Sequence, residues 1–207
     1  MIKITCAATV AALLAGSAMA VTTVTSANGP DVIPAGQTVI FSFDSAPTGG
    51  FLTGTGSIVN GSSSGVYAAP YLDTTDYLTV GADLTETFHL DTETKTLSLY
   101  WGSIDAYNQI AFFRADGSLI TGYYGNQIPL APADGSQGNP VNNRRVSFDF
   151  GSDRAKFVTI NSSANAFELD NVAVGAIPEP MAWSMLVTGF ALIGAAARRR
   201  RPAVVAA

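Results

Sequence analysis

The sequence predicts an all-β protein, an antiparallel β-sandwich of the jelly-roll type flanked by an N-terminal signal helix and a C-terminal transmembrane helix. Between residues 38 and 174, short runs rich in β-branched and aromatic residues alternate with Gly, Asn, Asp, Ser and Pro. Apolar and polar residues alternate within these runs, and no part of the region shows a sustained helical stripe. About ten strands at this spacing favour a sandwich or jelly roll.

The predicted strands cover most of that region. They are residues 38–43, 65–69, 77–80, 85–90, 96–100, 109–114, 119–124, 145–150, 156–161 and 166–174. Every second side chain of a strand points to the same face, so Val146, Phe148 and Phe150 form one apolar side. Asp116-Gly117 predicts a hairpin turn, residues 124–144 a long loop, and residues 60–65 a flexible tip.

The N-terminus predicts a secretory signal peptide over residues 1–20. Lys3 precedes an uncharged apolar run, residues 4–14, and Ala18-Met19-Ala20 places small residues where a signal peptidase reads them. A buried helix would not explain this order of charge, apolar run and small residues. Cleavage after Ala20 leaves residues 21–176 as one β domain.

Composition narrows what this domain does. The only cysteine of the 207-residue chain is Cys6, inside the signal, so the domain has no disulfide or cysteine metal site. Fifteen acidic and six basic residues between 21 and 176 give it a net charge of −9. An acidic surface repels phosphate, which argues against nucleic acid as a partner and is compatible with divalent cations.

The C-terminal tail, residues 177–207, predicts a membrane segment. Pro178-Glu179-Pro180 interrupts the β structure, and residues 182–197 form an uncharged apolar stretch about 24 Å long as a helix. Trp183 suits one membrane interface, and the cluster of Arg198, Arg199, Arg200 and Arg201 the other. Because arginines stay in the cytoplasm, the β domain is expected outside it.

This tail resembles the PEP-CTERM sorting signal of Gram-negative bacteria, in its PEPxxW variant. The resemblance covers about the last 30 residues and includes the Pro-Glu-Pro motif, Trp183, the apolar span and the arginine cluster in that order. It implies recognition by exosortase, a membrane-embedded enzyme, with cleavage near Pro178–Pro180. The precursor would be membrane-anchored, and the product would reach the cell surface or the extracellular matrix.

The β domain resembles, more loosely, the β-sandwich domains common in exported proteins of that family. Residues 99–108 and 166–174 are the segments that resemble them. Such domains look like the jelly rolls of carbohydrate-binding modules, and the resemblance implies a fold without an activity.

Catalytic motifs are scarce in the sequence. A Ser-His-Asp triad would need His89, the single histidine, which lies within a predicted strand where a surface or cross-strand role is typical. No nucleophile elbow, phosphate loop, zinc motif or EF-hand loop occurs. Paired carboxylates suited to a glycosidase arise by chance in so acidic a domain. We therefore expect no enzymatic activity.

Two candidate binding sites follow from the strand prediction. Asp44, Asp170 and Asn171 end the first and last strong strands, which often lie side by side, and their oxygens suit a structural calcium ion. The alternative is that Asp170 and Asn171 cap a strand end. A sugar-binding set supplies aromatic faces and polar groups, against the alternative that the aromatics pack in the core: Trp101, Asp105, Tyr107, Asn108, Tyr123 and Tyr124.

The sequence thus favours a non-catalytic surface or extracellular-matrix protein that signal peptidase and exosortase process. The alternative is a carbohydrate-binding module for exopolysaccharide, and a hydrolase is the third option.

Overall fold

A computed structural model describes residues 22–175, and the fold is an antiparallel β-sandwich. Sheet I has seven strands. They are β1 Thr23–Asn28, β2 Gln37–Phe41, β4 Ser57–Asn60, β5 Asp76–Val80, β7 Thr96–Gly102, β10 Arg144–Asp149 and β12 Phe167–Gly175. Sheet II has five. They are β3 Gly50–Gly54, β6 Leu84–Thr94, β8 Asn108–Phe113, β9 Leu119–Tyr124 and β11 Ala155–Ser162.

The strand orders show how the chain crosses between the sheets. Sheet I runs β1-β10-β7-β12-β5-β4, and β2 also pairs with β12, next to the stretch where β5 pairs. Sheet II runs β3-β6-β11-β8-β9. All pairs are antiparallel, and most join strands that are distant in the sequence. The predicted all-β, antiparallel sandwich is therefore confirmed.

Aromatic side chains from both sheets meet in the core. Phe88 of sheet II lies 5.1 Å from the ring of Phe41 in sheet I, edge to face. Phe112 of sheet II lies 4.6 Å from Phe148 in sheet I. The alternating apolar positions that predicted the strands are buried in this core, and in β5 and β7 of sheet I the side chains of the opposite face are buried as well.

Nine of the ten predicted strands are confirmed, with shifted ends. The strand predicted at residues 65–69 is wrong: Gly65 has a φ of 73°, and the amides of Val66 and Tyr67 both donate to the carbonyl of Ser63 in a tight turn. Strands β1, β3 and β4 were not predicted. The hairpin turn is confirmed, since Arg114 N donates to the Ser118 carbonyl around Gly117, whose φ is 80°.

Residues 125–143 have little regular structure, as predicted, apart from a 3-10 turn at Gly125–Gln127. This segment nevertheless closes one end of the sandwich, where Ile128 and Ala133 join the core. Asn142 and Asn143 are fully buried. Asn143 Oδ1 accepts from the amides of Tyr71 and Ser103, at 2.9 and 3.0 Å, so the segment is bonded to its neighbours over much of its length.

Candidate functional site

A cavity of about 270 Å³ opens beside strand β12 of sheet I and has an acidic lining. Its lining residues are Pro30, Asp31, Tyr71, Leu72, Asp73, Thr74, Thr75, Tyr100, Asp170 and Asn171. The register of β12 shifts just after Asp170, and Asn171 has a φ of 50°, a conformation that asparagine tolerates better than most residues. Such a bulge lets the consecutive side chains of Asp170 and Asn171 reach the same cavity.

Asn171 links two of the carboxylates in this acidic cavity. Its Nδ2 donates to Asp31 Oδ2 at 3.0 Å and to Asp170 Oδ2 at 2.8 Å. Its backbone amide donates to Asp170 Oδ1 at 2.7 Å. On the far side of Asp31, the buried guanidinium of Arg145 donates from Nη1 to Asp31 Oδ1 at 3.2 Å. Among the described residues, Arg145 is therefore the one cation bonded to a group of three carboxyl side chains, which are Asp31, Asp170 and Asp73.

The third carboxylate, Asp73, is bonded on one side only. Its Oδ1 accepts from the backbone amide and the hydroxyl of Thr75, at 2.9 and 2.6 Å. Its Oδ2 is buried and has no hydrogen-bond partner among the described residues. A buried, unbonded carboxylate oxygen is unfavourable, so this atom would gain from a proton, a water molecule or a cation.

The surroundings of Asp170 favour its protonated form. Its side chain is almost fully buried, with 2% of the residue exposed. Burial, together with the charges of Asp73, Asp44 and Asp31, raises the pKa of Asp170 to about 8, against the hydrogen bond from the Asn171 amide. Burial also raises the pKa of Asp31, although Arg145 opposes this effect. The cavity therefore holds more negative charge than its own contacts compensate.

The predicted calcium set is revised by this geometry. Asp170 and Asn171 line the acidic cavity, but Asp44 is exposed and accepts the backbone amide of Asp76 at 2.9 Å. Asp31 and Asp73 line it instead. The oxygens suit calcium, yet within residues 22–175 no three acidic or histidine side chains are gathered closely enough to hold a metal ion. Asn171 Nδ2 lies between two of the carboxylates, so calcium stays a prediction that requires this amide to turn.

Glu168, two residues before Asp170, belongs to a separate buried network. Its Oε1 accepts from the amide of Ala68 at 3.0 Å, and its Oε2 from the hydroxyl of Ser103 at 2.7 Å. Burial raises the pKa of Glu168 to about 7, against these hydrogen bonds. Strand β12 thus holds two carboxyl groups, Glu168 and Asp170, whose pKa values lie well above the ordinary value.

The predicted sugar-binding residues do not form one surface. Trp101 is fully buried and stacks on Phe167 with 4.2 Å between ring centroids, so neither it nor the fully buried Asn108 offers a face to a sugar. Tyr123 packs against the core at Phe148. The predicted set is therefore revised to exclude these three residues.

Two of the remaining residues are occupied by local bonds. Tyr107 donates its hydroxyl hydrogen toward Asp105 Oδ2, at 2.7 Å, or the carbonyl of Asn165, at 2.6 Å. The Asp105 amide donates to Asn108 Oδ1 at 2.9 Å, which closes the turn that leads into β8. Tyr124, with 47% of its surface exposed, is the member that lies on an open face.

That open face is the outer side of sheet II, where directly paired residues line up in rows across the strands. The first row crosses all five strands, and we call it the aromatic row: Phe51, His89, Phe157, Phe113 and Leu119. Phe51 stacks on His89 with centroids 4.4 Å apart, and Phe157 meets the other side of His89 edge-on at 5.3 Å. Thr53 Oγ1 lies 2.7 Å from His89 Nε2 and fixes the ring.

Two further rows complete this outer face. Next to the aromatic row lie small and hydroxyl side chains, the threonine row: Thr53, Thr87, Thr159, Ala111 and Gly122. Beyond it lies the amide row: Thr85, Asn161, Gln109 and Tyr124. Asn161 Nδ2 donates to Gln109 Oε1 at 3.0 Å, so the two amides hold each other in place. Sequence alternation indicates which residues point outward, but only the register places them in rows.

The hydrolase alternative needs two carboxyl groups facing a cleft. Asp170, protonated near neutral pH beside Asp73, has the charge pattern of an acid and its partner. Its nearly complete burial and its bonds to Asn171 leave no side-chain surface for a substrate oxygen. His89, which a Ser-His-Asp triad would need, lies on the outer face of sheet II and contacts Phe51, Phe157 and Thr53.

The signal and the sorting tail lie outside the described residues. The predicted residues concerned are Ala18, Ala20, Pro178, Glu179, Pro180, Trp183, Arg198, Arg199, Arg200 and Arg201. Within residues 22–175 no helix has the length and apolar character needed to span a membrane.

Comparison with known proteins gives fold-level likenesses. No family model matches the chain, and no curated protein matches it. It is similar to the CBM32 of AlyQ in complex with 4,5-unsaturated mannuronic acid, with 12% identity, a TM-score of 0.31 and coverage of 58% of this chain and 92% of that one. It is also similar to the enzymatically active domain of tailspike protein 4 of bacteriophage CBA120, with 15% identity and a TM-score of 0.33. That match covers 75% of this chain and 19% of the tailspike chain. Similarity this distant identifies neither ligand nor activity.

Proposed function

We propose that this protein is exported to the bacterial surface or extracellular matrix, that exosortase processes it through its C-terminal signal, and that its jelly-roll-like ectodomain is non-catalytic. The observation that carries the proposal is the order of Pro178-Glu179-Pro180, Trp183, an apolar span and four arginines at the end of the chain. Signal peptidase removes residues 1–20, and the precursor stays anchored by residues 182–197 until it is cut.

The fold supports an accessible motif. Strand β12 ends at Gly175, shortly before Pro178. Each proline lacks an amide hydrogen and has a restricted φ, so the motif does not extend the sheet. A protease needs an extended, unpaired segment. The apolar span and Arg198–Arg201 hold that segment at the outer boundary of the membrane.

The test compares two changes in the tail. Replacing Glu179 by Gln leaves the membrane span intact, so the precursor should stay in the membrane fraction with its full tail. Deleting residues 183–201 removes the anchor, so unprocessed protein should appear in the soluble periplasmic fraction. Cell fractionation with intact-mass analysis measures both. Glu93→Gln, an exposed change of the same chemistry on β6, is the control and should be processed as wild type.

The proposal fails if both tail variants reach the surface with the wild-type processed C-terminus. A mature protein that retains Met1 would contradict the signal peptide separately.

A second candidate function is that of a carbohydrate-binding module for exopolysaccharide. The observation that favours it is the outer face of sheet II, where exposed aromatic rings and amide groups lie on one rigid surface.

A further inference from the structure

We propose that the outer face of sheet II binds a neutral polysaccharide, with sugar rings stacked on the aromatic row and sugar hydroxyls bonded by the amide row. This inference rests on the second candidate function and deepens it by naming the binding surface and the ligand class.

The aromatic row supplies the apolar half of such a site. Phe51, on the edge strand β3, has 55% of its surface exposed, although a phenylalanine is normally buried. Its ring is held by the stack on His89, which Phe157 supports from the other side. A ring fixed in this way loses little conformational entropy when a ligand packs against it. The C–H face of a pyranose ring is apolar and flat, and it is complementary to such a row.

The amide row supplies the polar half. The bond between Asn161 and Gln109 uses one group of each amide, and within residues 22–175 neither Asn161 Oδ1 nor Gln109 Nε2 has another partner. Tyr124, opposite Gln109, adds a hydroxyl at the other edge strand, β9. Donors and acceptors that are held in position and open to solvent suit vicinal sugar hydroxyls, which both donate and accept.

The threonine row makes the surface between them flat. Threonine is stiff at χ1, and Ala111 and Gly122 have little or no side chain, so the floor is low and rigid. Four residues along β6 separate His89 from Thr85, which places the aromatic and amide rows about 13 Å apart. The aromatic and threonine rows cross five strands and are about 19 Å long, and the amide row crosses four and is about 14 Å long. The face is therefore long enough for a chain of sugars.

Charge decides the class of ligand. None of the residues in the three rows is Asp, Glu, Lys or Arg, in a domain with a net charge of −9. The two cations beside the aromatic row are already bonded, Arg114 to Asp153 and the Leu119 carbonyl and Lys156 to the Asp91 carbonyl, and the surrounding acidic domain repels uronates and sulfates. A neutral polysaccharide meets neither obstacle. Protein interfaces usually contain arginine, which is another reason to favour the glycan over a second copy of the chain.

The test uses the full chain in a mild detergent and native gels that contain a neutral glucan, a galactomannan or a xylan, with a polyuronate gel beside them. We expect at least one neutral polysaccharide to retard the wild-type protein. Phe51→Ala and Tyr124→Ala should each weaken the apparent affinity about tenfold, because each removes an aromatic contact. Ile58→Ala is the matched control: Ile58 has 53% of its surface exposed and lies on the edge strand β4 of sheet I, so binding should not change.

Two variants that keep an aromatic ring separate the loss of a sugar contact from a loss of structure in the alanine variants. Phe51→Tyr and Tyr124→Phe should bind as wild type, and all variants should melt at the wild-type temperature. The inference is overturned if no neutral polysaccharide retards the protein, if the alanine variants bind as wild type, or if the polyuronate alone is bound.

It is also overturned if sedimentation shows a dimer that Phe51→Ala dissociates and no gel retards either form. That result would assign the face to a second copy of the chain. Failure of the gel test leaves the sorting proposal unaffected, because the latter depends on the fractionation of Glu179→Gln.

Discussion

The acidic cavity beside β12 and the outer face of sheet II differ in the side chains that form them: the cavity gathers carboxylates, and the outer face gathers aromatic, hydroxyl and amide groups. The cavity brings together the carboxyl groups of Asp31, Asp73 and Asp170, with Arg145 as the one cation within residues 22–175 bonded directly to them. The fold therefore holds these three groups close together although their negative charges repel one another. The outer face contains side chains without a carboxylate, ammonium or guanidinium group, and His89 is the one titratable imidazole in its three rows. The comparison teaches that the cavity depends on charge and therefore on pH and ions, whereas the outer face depends only on shape and register.

The largest expected effect comes from breaking the charge balance of the acidic cavity. Arg145→Met removes the buried partner of Asp31 and should lower the free energy of unfolding by about 3–5 kcal/mol, because a buried carboxylate is left uncompensated. Urea unfolding measures this loss. Arg114→Met is the matched control, since Arg114 forms a more exposed pair with Asp153, and its loss should be much smaller. Equal losses in free energy would show that the buried Arg145–Asp31 pair matters no more to stability than the more exposed Arg114–Asp153 pair.

Calcium binding should have the next largest effect on the free energy of unfolding. If calcium replaces the Asn171 amide between the carboxylates, a concentration 100 times Kd should raise the free energy of unfolding by about 2.7 kcal/mol. Thermal melts in calcium and in EDTA measure it. Asp170→Asn should abolish the response, and Asp149→Asn, which changes a half-exposed carboxylate elsewhere, should preserve it. Coincident melting curves in calcium and EDTA would exclude the site.

A change of pH in EDTA should also change the free energy of unfolding. Unfolded carboxyl groups ionise near pH 4, whereas the folded pKa is about 8 for Asp170 and about 7 for Glu168. The folded state therefore binds more protons. Its stability is fully present below about pH 4 and is lost as the pH rises through the folded pKa values.

We expect the free energy of unfolding to fall between pH 5 and pH 9, most steeply below about pH 7, where both groups carry a proton only in the folded state. Asp170→Asn should flatten this slope, while Asp149→Asn should keep it. A flat profile over this range would mean that both carboxyl groups are already ionised in the folded protein.

Sequence periodicity anticipated the core far better than the sites. Val146, Phe148 and Phe150 alternate and are all buried, because inward position is a local property of a strand. Strands β1 and β3 escaped prediction because serine, threonine and glycine make up half or more of their residues, and β4 because it is only four residues long. At residues 65–69 the aromatic Tyr67 suggested a strand, but Gly65 turns the chain.

The sites depend on contacts between distant segments. Asp170 and Asn171 were identified from the strand end, but Asp31 and Asp73 reach the cavity from loops whose path the sequence does not specify. Trp101 was assigned to sugar binding because its type suits that role, yet its strand turns it inward onto Phe167. The aromatic row pairs residues as distant in the sequence as His89 and Phe157, so only the pairing register reveals it.

The position of β12 also has a consequence for how the chain folds. This last strand lies in the middle of sheet I and pairs with β2, β5 and β7. Without residues 167–175, β7 has no neighbour on that side, and β2 loses its pairing in the sheet. Folding must therefore wait until almost the whole domain has been synthesised, and its many sequence-distant pairings should make it slow. A nascent chain that stops short of β12 has no finished sheet I and therefore stays unfolded until that strand emerges.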